Sequence, residues 1–153
     1  MNPNIVIDAN QTDARAFVAA DRHDSRFFIE GGLRTVGSEH VLSFIVMARL
    51  FDGTRGTVRR IDFFTAMMDH LGDDNVDVIE GQWEDQNPEW GTNLEAFNNL
   101  LRTNPSLDEL GAAARVPTGI YAIRRGYSHL TIKTLEPKHA RGFYKDVLVE
   151  FRK

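Results

Sequence analysis

The stretch from Leu42 to Trp83 constrains the fold most, because it spells out a strand, a tight basic loop, an amphipathic helix and a second strand joined by short connections. From Leu42 to Phe51 (LSFIVMARLF) both alternating faces are apolar and only Ser43 and Arg49 are polar, the pattern of a strand covered on both sides. Asp52-Gly53-Thr54-Arg55-Gly56 follows, a run that tolerates positive φ or bonds its own backbone, so the strand ends there. Val58, Ile61, Phe64, Met67, Met68 and Leu71 then recur at helical spacing, while Arg59, Arg60, Asp62 and Asp69 fall off that stripe. Gly72 stands where a C′ residue stops a helix. Asp73-Asp74-Asn75 leads into a partner strand, Val76 to Trp83, so the unit reads as a parallel crossover inside a mixed sheet.

With 153 residues and 42% hydrophobic content, the chain can bury one good core but hardly two, which predicts a single α+β domain over residues 1–153. No apolar run reaches bilayer length, and MNPNIVIDANQTD lacks the basic start and apolar middle of a signal peptide. The expectation is a cytoplasmic protein with no membrane partner. The absence of Cys excludes disulfides, thiolate metal sites and a cysteine nucleophile. The net charge of −4 hides an asymmetry, since Arg115 to Lys153 carries nine Lys or Arg against three acids. Given the acidic total, the reading is compensation between neighbouring segments rather than a nucleic-acid face.

Taken in order, Ile5 to Ile7 reads as a first strand and Thr12 to Arg22 as a short helix capped by Thr12. Arg26 to Val36 pairs with Val41 to Phe51 through Gly37-Ser38-Glu39, and Gly31-Gly32 marks a bulge or a close approach to the backbone. Glu84 to Gly91 is a polar loop. Thr92 to Glu95 forms a capping box for a helix with Leu94, Phe97, Leu100 and Leu101, and Ser106 to Glu109 forms a second box. Pro117 opens a third helix, to Arg125, closed by Gly126. His129 to Leu135 and Phe143 to Phe151 alternate like the strands of a C-terminal hairpin.

This order of hairpin, loop, helix, strand, further helices and closing hairpin resembles the GNAT acyltransferase fold. In that family the loop before the central helix carries Gln or Arg, two spacers, Gly, one spacer, then Gly or Ala, and its N–H groups hold the acyl-CoA pyrophosphate. Here Arg55, Gly56, Arg59 and Arg60 occupy that loop, with Val58 where the family has its first Gly. The resemblance implies a transferase using acetyl-CoA or another acyl-CoA on a small-molecule or protein substrate, or a degenerate relative that only binds a phosphate-bearing cofactor. Placing the family's late helix at Ala140-Arg141-Gly142-Phe143-Tyr144 would make Tyr144 a general acid. Only nine residues follow it, so Asn93 to Leu101 is taken as that helix and Tyr144 as a strand residue. The second half, with Glu80-Gly81-Gln82-Trp83, Asn93, Phe97, Pro117-Thr118-Gly119 and Gly126-Tyr127, also resembles C-terminal modules of bacterial Rhs-like polymorphic toxins. That similarity implies an effector delivered to another cell and assigns no catalytic residue.

Among candidate chemical groups, Glu80 lies in the strand ending at Trp83, and a semi-buried carboxylate there would serve as a general base; pairing with Arg49 or Arg59 is the structural alternative. Trp83 and Trp90 offer stacking surfaces for a flat ligand or core closure, and Asn93 joins them as a substrate-binding candidate. Thr118-Gly119 presents N–H groups and a hydroxyl to an anion, or else merely caps a helix. Asp73, Asn75, Asp77 and Glu84 match the EF-hand spacing, but Val78 replaces its glycine, so a solvated acidic loop is the reading. Asp69-His70 could act as an acid–base pair, though a His at a helix end commonly faces the terminal carbonyls. The histidines show no metal-ligand spacing, and no serine sits in a nucleophile motif. A third functional class is a non-catalytic domain that binds a partner through the acidic loop around Trp90.

Overall fold

The computed structural model describes residues 1–85 and 92–153, in two compact units, Met1–Asp77 and Val78–Lys153. Trp90 and the rest of the polar loop from 86 to 91 lie outside the described residues. Among the described residues seven strands and four α-helices make the chain α+β, the class its sequence implies.

In the first unit β1 (Ile5–Ile7), β2 (Ala16–Asp21), β3 (Asp24–Val36) and β4 (Glu39–Met47) pair antiparallel in chain order. The strand β2 replaces the helix expected over Thr12 to Arg22. Alanine favours a helix locally, but Ala16 to Asp21 has ladder partners in both β1 and β3, and burial alternates with Phe17, Ala19 and Asp21 inward. Strands β3 and β4 close on Gly37-Ser38, with Gly37 at φ 60°. Gly31 and Gly32 stay in register with β4. A Cβ on Gly31 would lie 2.5 Å from Met67 Sδ, so the glycine admits a helix side chain, and the register shift falls instead at Ala20/Asp21.

Strand β4 ends at Met47, short of Phe51, because the Leu50 N–H turns back to the Thr54 carbonyl and leaves Phe51 82% exposed. Helix α1 (Arg60–Leu71) starts two residues after the buried Val58 and lays Phe63, Phe64, Met67, Met68 and Leu71 into the core. Each such side chain contributes about 1.5–3 kcal/mol on full burial. Gly72 at φ 86° stops the helix as expected. The chain then makes a 3-10 turn, Asp73–Asn75, and Asp77 exchanges hydrogen bonds with His40: its N–H donates to the His40 carbonyl and its carboxylate accepts the His40 N–H at 2.7 Å. That engagement takes Asp77 out of any calcium loop.

In the second unit β5 (Val78–Glu84), β6 (His129–Glu136) and β7 (Asp146–Arg152) are antiparallel, with β7 between the other two. Ile79, Gly81, Trp83, Val147, Val149 and Phe151 form the buried face. Helix α2 (Thr92–Thr103) brings Leu94, Phe97 and Leu101 to the core, with the Phe97 ring 5.8 Å from Trp83 and 6.0 Å from Tyr144. Helix α3 (Glu109–Ala113) is capped by Asp108, not Ser106: the Asp108 carboxylate accepts the Gly111 N–H at 2.7 Å, while Asn104 to Leu107 is spent on a turn. Helix α4 (Pro117–Arg124) has Pro117 at its start and ends in a Schellman motif, Gly126 N–H to Ile123 and Tyr127 N–H to Ala122.

Tyr144 is not a strand residue. Its backbone is held outside β7 by Asn98 of α2, whose amide oxygen accepts the Tyr144 N–H at 2.9 Å and whose amide nitrogen donates to the Tyr144 carbonyl at 2.8 Å. The pair supplies both bonds that a ladder partner would. Asn98→Ala strands two buried backbone groups and is expected to cost about 2 kcal/mol, read as a lower denaturant midpoint at unchanged m-value. An unchanged midpoint would show that the turn holds itself.

Candidate binding site

The loop before α1 is organised by a residue the sequence reading passed over. Asp21, 3% exposed, reaches across 36 positions and accepts the Thr57 N–H at 2.7 Å, the Thr57 hydroxyl at 2.8 Å and the Val58 N–H at 3.1 Å, besides the His23 N–H at 2.9 Å. Burial raises the carboxyl's pKa, but the donations from His23, Thr57 and Val58 outweigh it and hold the group below its usual value. Gly56 is required by the same contact, since a Cβ there would lie 2.8 Å from both Asp21 Oδ2 and the Phe27 ring. Arg55 is exposed and bridges backbone to backbone with Arg49, and Arg59 pairs with Asp62 at 2.9 Å. Arg60 is the first helical residue. The four candidates therefore share one loop, whose Thr57 and Val58 N–H groups already hold an internal carboxylate.

The candidates of the second unit separate. Glu80 and Trp83 are three apart in β5 and point to opposite faces. Trp83 closes the core, 4% exposed, against Phe97. Glu80 stands opposite Glu150, which pairs with Arg152 at 2.6 Å and Lys133 at 3.5 Å, two cations of its own C-terminal segment. Asn93 and Thr118 do meet, but they bind each other. Asn93 Nδ2 donates to Thr118 Oγ1 at 2.9 Å and its Oδ1 accepts the Thr118 N–H at 3.1 Å, both residues being buried. A Cβ on Gly119 would lie 2.0 Å from the Ala113 carbonyl oxygen, so an acceptor already sits against the start of α4. The expected anion site is filled by protein.

Arg141 and Tyr144 also serve structure. Arg141 donates to the carbonyls of Leu101 and Asn104 at the end of α2, and Arg102 of that helix donates back to the Gly142 carbonyl. The Tyr144 hydroxyl donates to Glu109 at 3.2 Å. Burial first, then the Glu109 carboxylate, raises the phenol's pKa against the opposing Arg141 charge, which suits a structural donor better than a general acid.

A cavity of about 310 Å³ opens in the first unit, its apolar walls built by Ile7, Phe17 and Ala66. Asp62, Thr65, Asp69 and His70 add polar groups from one face of α1. The Gln11 amide fixes the histidine. Its Oε1 accepts the Val18 N–H and its Nε2 donates to the Ala16 carbonyl at 2.6 Å, so the nitrogen is the atom 3.1 Å from His70 Nε2. His70 Nε2 is thus the acceptor, and the imidazole carries its proton on Nδ1. The ring also lies 5.2 Å from Phe17. The Asp69-His70 dipeptide was legible in the sequence, but β2 was hidden in a segment that read as helical, and Gln11, just ahead of that segment, gave no local signal. Among the described residues no cluster of His, Cys, Asp or Glu could hold a metal ion. Compared with protein-family models, with curated proteins and with solved structures, the chain matches none of them.

Proposed function

We propose that the protein is a degenerate relative of the GNAT acyltransferases whose cofactor loop has become a structural latch, and that it works as a non-catalytic binding domain. One observation carries this reading: the N–H groups of Thr57 and Val58, which a pyrophosphate would need, donate to the Asp21 carboxylate. A second anion at those donors would meet a buried negative charge instead of open N–H groups. The order of elements, with four strands leading through a loop into α1, supports the family relation. The separation of Glu80 from Trp83, and the mutual bonding of Asn93 and Thr118, support the loss of catalysis.

Thermal denaturation with acetyl-CoA and with CoA tests the reading. Neither is expected to move the midpoint, and acetyl-CoA is expected to release no thiol over hours of incubation. A ligand present at 100 times its Kd would stabilise the fold by about 2.7 kcal/mol, a rise of roughly 5–11 °C for a chain of this size. Such a rise, abolished in Arg55→Ala, would restore the acyl-CoA transferase.

A further inference from the structure

We infer that the face of the first unit's sheet turned away from α1 is a self-complementary interface, and that its occupant is a second copy of this chain. Neither the latched loop nor a catalytic group takes part, so the inference stands whether or not that loop holds a cofactor. Side chains alternate along a strand, and Phe17, Gly31 and Phe44, one row of the ladder, meet His70, Met67 and Phe64 of α1. Phe28, Glu30, Gly32, Arg34 and Val36 of β3 therefore face the other way. Among the described residues the unit has no second α-helix to cover that side. The open face of an antiparallel sheet is normally polar. Here Phe28 is flanked by Ala20 and Met47, and Glu30 by Val18 and Ile45; all of these but Glu30 and the buried Met47 are half-buried, and Val6, beyond Ala20, is 43% exposed.

Gly32 points to the occupant. Gly31 is bare to admit Met67, but a Cβ on Gly32 would meet only the Arg15 carbonyl oxygen, at 3.8 Å; its φ is not positive and the ladder keeps its register there. Among the described residues nothing requires a glycine at that position, whereas a backbone approaching from outside would. About Gly32 the outward residues of β3 read apolar, acid, glycine, base, apolar. A two-fold axis lying across the strands at Gly32 reverses that order in the second copy, so each Glu30 faces the second copy's Arg34 and each Phe28 its Val36, while the two glycines let the backbones come close. Val36 is 51% exposed, and among the described residues no cation pairs with the exposed Glu30. Arg34 donates to Ser43 at 2.7 Å, and the five N–H donors of a guanidinium can serve a carboxylate as well. The strip from Phe28 to Val36 is about 27 Å long and, over three strands, about 14 Å wide, so two copies bury roughly 800 Å² in all, which makes the dimer weak and reversible.

The test is sedimentation velocity on the full chain at rising concentration, where the coefficient is expected to climb from the monomer value towards that of a dimer. Glu30→Arg sets guanidinium against guanidinium and Arg34→Glu sets carboxylate against carboxylate, so each variant alone should associate about a hundred-fold more weakly than the parent. An equal mixture of the two should associate again, because every charged pair across the axis is then opposite in sign. Gly32→Leu should leave the thermal midpoint of the dilute protein near the parent's and abolish association. A parent that stays monomeric at millimolar concentration would leave the face to some other protein and overturn the inference. Single charge variants that associate like the parent, or a mixture that stays monomeric, would overturn it too.

Discussion

Replacing Asp21 by alanine is expected to remove about 3 kcal/mol of stability, seen as a fall of roughly 6–12 °C in the thermal midpoint. The carboxylate is the common acceptor for His23, Thr57 and Val58, and among these the Val58 N–H is buried beyond the reach of water. Asparagine should do little better. Every partner is a donor, so an amide turns its NH₂ toward an N–H group and satisfies only part of the set. The effect also has a pH signature. The folded-state pKa of Asp21 is lowered, so its contribution is present in full above the unfolded value, near 3.8, and is lost as pH falls through the folded value. The midpoint difference between Asp21→Asn and the parent should therefore be constant from about pH 5 upward and shrink below about pH 4. A difference that stays constant into acid, or an alanine variant as stable as the parent, would mean that the latch contributes nothing.

The same residue explains where the sequence stopped being informative. Helix α1, the closing Gly72, the Gly37-Ser38 hairpin and the proline-started α4 each rest on neighbours within a few positions, and all were legible. Strand β2 was not, because the alanines of Ala16 to Asp21 favour a helix locally and partners in β1 and β3 override them. Once that segment read as a helix, Asp21 had no visible task. A carboxylate that bonds a loop 36 residues away leaves no trace in local periodicity. The basic loop shows the other limit of a one-dimensional reading: the charges of Arg55, Arg59 and Arg60 are visible there, while the engagement of the loop's Thr57 and Val58 N–H groups by Asp21 is not.

The candidate polar groups of the second unit mostly bond partners within the fold. Asn93 with Thr118, Asn98 with the Tyr144 backbone, and Arg141 with the end of α2 are each complete within the fold. Polar groups at the cavity beneath α1 are engaged in the same way, Asp62 by Arg59 and His70 by Gln11.

Gly119→Ala should be the most damaging of the glycine substitutions. The new Cβ would stand 2.0 Å from the Ala113 carbonyl oxygen and 3.1 Å from the carbonyl carbons of Ala113 and Ala114, all backbone atoms that no rotamer change can move. Helix α4 would have to shift away from α3, pulling the N–H of the adjacent Thr118 from Asn93 Oδ1. Steric overlap combined with a broken buried pair is expected to cost about 4 kcal/mol, a drop of roughly 8–16 °C. Gly126→Ala is the control. That glycine has φ 98° but nothing within 4 Å of its Cβ position, so only the backbone conformation is penalised, by about 1–2 kcal/mol. The comparison bears on function as well as packing. If Gly119 were kept bare so that a phosphate could approach the start of α4, alanine would lower ligand affinity and leave the fold nearly as stable as before. If it is bare because the Ala113 carbonyl must pass, stability falls first, and a Gly119 variant no weaker than the Gly126 variant would put an anion back at that helix end.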